Sequence, residues 1–274
     1  MNELFTNRMG IKIPVAEIIV RNDAPEAFRN YLLVFLKDFC GLRKIRDIVC
    51  MATNEAPDPG NWGENDFMNS EIQTIVLNCP WYRIYDIIEL FYKKIANGQH
   101  AQFEQGINNY FIEKGIGWKM MSGKIETRGD EAFEADLVEV ETVLSERKLY
   151  TSKREIKEAI ADLSRRPNPE ITGAVQHSLA ALECVCREVT GDKKATLGKL
   201  IYNHPDIVPS PLNVVIEKIW GFSSEQGRHL QEGRAPEYDE AELLVHLSAA
   251  VCSYVCKKHI KLDDACLVAG KLDL

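Results

Sequence analysis

The stretch Gly221–Leu230 (GFSSEQGRHL) places Arg228 directly before His229, and the following QEGRAPEYDE adds Arg234. A guanidinium can hold a phosphate through two parallel hydrogen bonds, and an imidazole exchanges a proton near neutral pH. Together they suit metal-free cleavage of RNA. In that chemistry His229 draws the proton from a ribose 2′-hydroxyl while Arg228 holds the charge growing on the phosphate oxygens. Gly227 and Gly233 bracket the pair, which predicts a solvent-accessible loop between two apolar helices. Lys193 and Lys194, in another loop at the bundle's end, together with Arg234 and His177 are the further candidates for RNA contact. On residue types alone a solvated Arg-His loop is the reading ahead of a catalytic one. His177, six residues before Glu183, reads first as a histidine satisfied within the core or facing a cap, and only second as a functional one.

Other chemistries find no support in the pattern. There is no Gly-rich phosphate loop followed by Lys-Ser/Thr, no dinucleotide fingerprint, no nucleophile elbow and no His-Glu-x-x-His. Cys184-x-Cys186 and Cys252-x3-Cys256 are the paired cysteines, and both pairs fall inside apolar helical stretches. They read as buried structural thiols rather than zinc ligands, which usually converge from loops or hairpins. Neither metal nor cofactor is expected.

Positioning such residues requires a folded scaffold, and the composition supplies one. Of 274 residues, 45% are hydrophobic and 27% charged, with 11 Pro and 17 Gly, the balance of a globular chain with one or two cores. The longest uncharged apolar run, Leu243–Cys256, is 14 residues and too short and polar to span a bilayer. The opening MNELFTNRMG lacks the order of a secretion signal, so a cytoplasmic, reducing location is expected. A net charge of −8 and a pI near 5.4 argue against coating nucleic acid by bulk electrostatics. Residues 1–150 hold 17 Lys and Arg against 23 Asp and Glu, or −6, whereas residues 151–274 hold 16 against 18, or −2. The C-terminal part is therefore the one to meet a polyanion, and the acidic N-terminal part suits a protein ligand.

Apolar residues at spacings of three and four predict a helix from Asp23 to Ile48, ended or kinked at Gly41, and further helices over Trp81–Ile95 and Ala101–Lys114. ATNEAPDPGNWGEN, residues 52–65, reads as a surface loop, and Ser122-Gly123 as the turn of a hairpin near 117–128. After a polar joint at Ser145–Thr151, Ser152 and Glu155 predict a capping box opening a helix to Ser164. RRPNPE breaks it before a helix over Glu170–Thr190 that is apolar on two faces and so central in a bundle. Shorter helices are expected around Ala195–Tyr202 and Leu212–Trp220. A last one starts near Asp239, with Glu242 spaced to complete its cap, and is apolar nearly all round. The chain thus reads as mainly α: a helix-rich domain with one β-hairpin over 1–145, a helical bundle over 150–262 and a tail over 263–274.

Four segments in order carry a resemblance: LFTNRMG with its following helix, INNYFIEKGIGWKMMSGKIETRGDE, HSLAALECVCREVTGDKKATLGKLI and GFSSEQGRHLQEG. Together they resemble AbiJ-type abortive-infection proteins of bacteria over most of the chain. The N-terminal part is similar to an AbiJ N-terminal domain and the C-terminal part to the HEPN (higher eukaryotes and prokaryotes nucleotide-binding) class. The resemblance implies a cytoplasmic anti-phage protein and a bundle that forms a homodimer through the C-terminal domain. It also implies a metal-independent endoribonuclease whose Arg and His, from two subunits, form one site and leave 2′,3′-cyclic phosphate ends. That class separates its Arg from a following His by several residues, whereas Arg228 and His229 are adjacent. Their assignment rests on position before the last helix. The alternative is a catalytically inactive module that binds RNA, nucleotide or a protein partner. A helical scaffold without ligand is the third reading.

Overall fold

The structure, a computed structural model, describes residues 5–10, 14–61, 65–228 and 236–260, without the side chains of 6–7 and 223–228. The fold is mainly α, 69% helical with one two-stranded hairpin. Contacts divide the chain into two compact units, Met1–Arg128 and Gly129–Leu274.

The first unit contains α1 (Phe5–Arg8), α2 (Glu26–Phe35), α3 (Leu42–Thr53), α4 (Asn65–Asn78), α5 (Trp81–Lys94) and α6 (His100–Glu113), followed by β1 (Trp118–Met121) and β2 (Lys124–Thr127). The predicted stripes are its core. Phe28 and Leu32 of α2, Ile84, Ile87, Ile88 and Phe91 of α5, and Phe103, Ile107 and Phe111 of α6 are all buried, as apolar spacings of three and four require. Their rings interlock: Phe28 meets Phe111 edge-on at 5.2 Å between centroids, and Phe35 stacks on Phe103 at 5.5 Å. Arg29, buried at the base of α2, donates to the carbonyls of Ala24 (2.7 Å), Val76 (2.7 Å) and Cys79 (2.8 Å). These oxygens replace the water a buried guanidinium would lose.

The hairpin pairs Trp118 with Thr127 through to Met121 with Lys124. Its two turn residues have positive φ, 50° at Ser122 and 80° at Gly123, as a tight turn matched to strand twist demands. Helices clamp it from outside. Asn108 of α6 accepts from the Met120 N–H at 2.6 Å and donates to the Met120 carbonyl at 2.9 Å, while Glu89 of α5 accepts from the Ile125 N–H at 2.8 Å.

The second unit is a bundle of α7 (Glu131–Glu146), α8 (Tyr150–Ser164), α9 (Ile171–Thr190), α10 (Leu197–Asn203), α11 (Leu212–Arg228) and α12 (Tyr238–His259). Helix α9 is central, packed on α8 and α12. Both predicted faces are buried, Val175, Leu179 and Leu182 on one, Ala174, Ser178 and Ala181 on the other. The turn at 165–170 makes α8 and α9 antiparallel. Ser178 and Ser248 meet at 3.5 Å and Arg166 lies 5.7 Å over the Tyr238 ring, so α12 starts beside the N-terminal end of α9 and runs parallel to it.

Several elements differ from the sequence reading. The helix over 23–48 is two, because a 3-10 turn at Leu36–Asp38 ends α2 and Gly41 starts α3. Helices α4 and α7 were not foreseen. Both are weakly amphipathic, and α7 packs with the second unit. The contact boundary at Arg128–Gly129 thus precedes the polar joint at 145–151. Ser152 caps nothing: α8 opens at Tyr150 and Ser152 is buried within its first turn. The capping box of α12 is Glu237 with Glu240, not Asp239 with Glu242. Most consequentially, α11 does not stop at Trp220. It continues through Gly221 and Gly227 to Arg228, since a helical Gly costs only about 1 kcal/mol and Phe222 packs against the bundle core. Helix α12 finds its apolar neighbours within the chain, on α7, α8 and α9, leaving Leu243 and Tyr254 exposed.

Candidate functional site

Arg228 is the last residue of α11 and not a loop residue. His229 and Arg234 lie outside the described residues, in the nine-residue connection between α11 and α12. The run of α11 fixes where that connection starts. Just before α11, the Ile207 carbonyl lies 2.9 Å from His259 Nε2, at the C-terminal end of α12. Midway, Trp220 rests against Gly198, next to Leu197, whose N–H donates to Glu183 of α9 at 2.8 Å. Eight further residues carry α11 about 12 Å onward, toward the end where α8 turns into α9 and α12 begins.

His177 sits at that end, in the second turn of α9, between two carboxylates of α8. Its Nδ1 is 2.7 Å from Glu155 Oε2 and its Nε2 3.7 Å from Asp162 Oδ2. The hydrogen bond from His177 holds Glu155 below its ordinary value. Asp162 is buried and shifts the other way, raised by desolvation against the pull of Arg165 and His177. Arg165 reaches Asp162 Oδ1 at 2.9 Å, and the Asp162 carboxylate lies so close to Gly173 that a Cβ there would fall 2.3 Å from Oδ2. The carboxylate therefore faces the first turn of α9, where the helix dipole favours negative charge. Arg166 adds a second guanidinium, donating to the Leu163 carbonyl at 2.8 Å.

Lys193 and Lys194 are exposed at the opposite end. They follow Gly191, which ends α9 in the left-handed conformation, and the 13 residues from His177 to Thr190 span about 20 Å of helix. The structure thus does not bring His177 together with Lys193 and Lys194. The sequence reading missed Glu155 and Asp162 beside His177, with Arg165 on Asp162, and Arg166 in the turn before α9. A signal was present, since Glu155 and Asp162 are seven apart and share one face of α8.

Of the paired cysteines, Cys186, Cys252 and Cys256 are buried in the bundle, whereas Cys184 is partly exposed. Cys252 is fully buried and raised well above its ordinary value, burial pushes Cys186 up to about 12, and Cys256 goes up to about 11 for the same reason. Such thiols are poor nucleophiles. Among the described residues no group of three or more His, Cys, Asp or Glu is placed to hold a metal ion, and no helix is long and apolar enough to cross a membrane.

A two-unit, mainly α chain with a clamped hairpin in its first unit and a bundle bearing arginines and histidine at one end is the class defined by this architecture. The AbiJ N-terminal domain 4 family matches residues 3–143, and the chain belongs to that family, one of abortive-infection defence. The match runs past the contact boundary to include most of α7, which makes α7 part of the family's sequence although it packs with the second unit. No curated protein and no solved structure matches the chain.

Proposed function

We propose that this chain acts in abortive infection by cleaving RNA at one end of its C-terminal bundle, as a cytoplasmic, HEPN-type, metal-independent endoribonuclease that works as a homodimer. Arg228 clamps the scissile phosphate and His229 serves as acid and base. One observation carries this reading: α11 ends in Arg228 while running toward the end of the bundle that holds Arg165, Arg166 and His177. Cationic and titrating side chains from separate helices at one end are what a phosphodiester requires. The acidic N-terminal part then serves for protein recognition.

The second reading, a catalytically inactive module that binds RNA, nucleotide or a protein, is favoured by the carboxylates on both sides of the His177 ring. A phosphate approaching His177 would have to displace Glu155. Expression in a bacterial host separates the two readings. Growth arrest with fragmented RNA, relieved by His229→Ala, is the expected result. Intact RNA, or a His229→Ala chain as toxic as the unsubstituted one, would put the inactive module in its place.

A further inference from the structure

Three side chains tie down the end of α12. His259 Nε2 lies 2.9 Å from the Ile207 carbonyl, Lys258 donates to the Asp206 carbonyl at 3.0 Å, and Arg147 donates to the Ile260 carbonyl at 3.1 Å. The chain therefore leaves the bundle beside Asp206, one residue from Pro205, which lines a groove of about 580 Å³ between α10 and α11. Ile201, Tyr202 and Trp220 supply the apolar surface of this groove, and Lys199 and Glu217 put one charge of each sign on it. Among the described residues nothing covers its rim. Tyr202 is 87% exposed, and Leu212 and Val215 of α11 are 56% and 51% exposed.

Residues 261–274 (KLDDACLVAGKLDL) follow α12 and lie outside the described residues. Eight of these 14 residues are apolar, five of them consecutive from Ala265 to Ala269, more than a solvated segment carries without something to cover it. We propose that this segment docks in the groove of its own chain, with Leu267 and Val268 against Trp220 and Tyr202. Its reach is sufficient. Leu267 is seven residues past Ile260, up to about 24 Å of extended chain, whereas Leu212 to Trp220 is about 12 Å along α11. The segment of another copy competes only at its bulk concentration, while a tethered one acts at an effective concentration in the millimolar range. Asp263 and Asp264 on one side of the apolar run and Lys271 on the other complement the opposite charges of Lys199 and Glu217. So docked, the segment closes the exposed side of α11 whether or not the bundle cuts RNA.

Photo-crosslinking tests this on the full chain carrying Leu267→benzoylphenylalanine. Cross-links to peptides of residues 197–220, within single chains and at a yield independent of protein concentration, are expected. Cross-links that land elsewhere in the chain, or that join two copies, overturn the proposal. The double variant Leu267→Asp, Val268→Asp leaves the bundle core untouched, and it should speed amide exchange about tenfold in α10 and in α11 up to Trp220, with α9 unchanged. A synthetic peptide of residues 261–274, in reducing buffer, should bind this variant saturably and slow that exchange again. The same peptide should bind the unsubstituted chain at least about tenfold more weakly, because the groove is already filled. Adding Tyr202→Asp, at an exposed position, to the double variant should abolish peptide binding. Equal exchange in the substituted and unsubstituted chains, a peptide that fails to bind the double variant, or peptide binding indifferent to Tyr202→Asp overturns the proposal.

Discussion

Glu155 and His177 face each other across the α8–α9 contact at 2.7 Å, and the pair joins the two helices that pack most closely in the bundle. Its effect on stability has a sign. The folded-state value of Glu155 is depressed from 4.5, chiefly by the hydrogen bond from His177. A depressed carboxyl contributes stability that is fully present above the unfolded value and is lost as pH falls through the lower folded one. Glu155→Gln should therefore destabilise the second unit at pH 7 by about 0.5 kcal/mol, a small figure because His177 stays more than a third exposed. The difference should shrink below pH 4.5. Asp162 works in the opposite sense. Its raised carboxyl penalises the fold when ionised, and that penalty is relieved as pH falls through its folded value. Urea denaturation of both chains at stepwise lower pH checks this, and a difference that grows toward acid would contradict it.

Arg29 should be among the most sensitive positions of the first unit. It is 8% exposed and donates to three carbonyls from two separate stretches of chain, Ala24 on one and Val76 and Cys79 on the other. Arg29→Ala takes the guanidinium away from these oxygens in a closed interior, at a cost of about 2–4 kcal/mol. Arg29→Lys keeps the charge but cannot span the same three acceptors with its single nitrogen, so about half the loss should remain. Equilibrium unfolding of the two variants gives the comparison. A Lys variant as stable as the unsubstituted chain would mean that charge, and not the planar fork, holds this junction.

The parts of this fold that were legible in the sequence were those with strong local signals. Phe28 and Leu32, Ile84 and Ile88, and Phe103 and Ile107 repeat at helical spacing, and Ser122-Gly123 marks a turn that only a few residue pairs adopt easily. The helix ends were read less well because the breakers there are weak. Gly221 and Gly227 looked like the start of a loop, yet Phe222 gains enough from packing to keep the helix going to Arg228. Ser152 had the spacing of a cap but is turned inward by the start of α8 at Tyr150. At the candidate site, Arg228, His177 and the lysine pair were visible as residue types. Their separation to opposite ends of α9 was not, because it depends on which helix lies beside which. The carboxylates on His177 come from another helix and show in the sequence only as the seven-residue spacing of Glu155 and Asp162.

The hairpin of the first unit should depend on two contacts of different kinds. At Gly123 φ is +80°, and a Cβ would fall 2.4 Å from Tyr92 Cδ1, so Gly123→Ala meets both backbone strain and a ring held in the core. About 1–3 kcal/mol is expected. Asn108→Ala removes both hydrogen bonds that fix Met120 and should cost about 1–2 kcal/mol. Hydrogen exchange separates the effects: Asn108→Ala should speed exchange at the Met120 amide more than in the helices. Uniform acceleration throughout the unit would show that the clamp serves the whole domain and not the hairpin alone.

If the bundle cleaves RNA, the attacking oxygen is the ribose 2′-hydroxyl of the substrate itself. Attack on the adjacent phosphorus forms the 2′-O–P bond, breaks the bond to the 5′-oxygen of the next nucleotide and leaves a 2′,3′-cyclic phosphate. One proton must leave the 2′-oxygen and one must reach the departing 5′-oxygen, both within reach of an imidazole that first accepts and then donates. Because the nucleophile is already in the substrate, no metal-bound water has to be generated, and activity should survive chelation. His229→Ala should slow cleavage by about 10²–10⁴, the range for a positioned acid-base group. Arg228→Lys should also lose most of the rate, since an ammonium cannot make the planar two-point contact with a phosphate. Mass analysis of the product ends and single-turnover rates decide the matter. Products ending in a 3′-hydroxyl, or rates unchanged in both variants, would remove Arg228 and His229 from the chemistry.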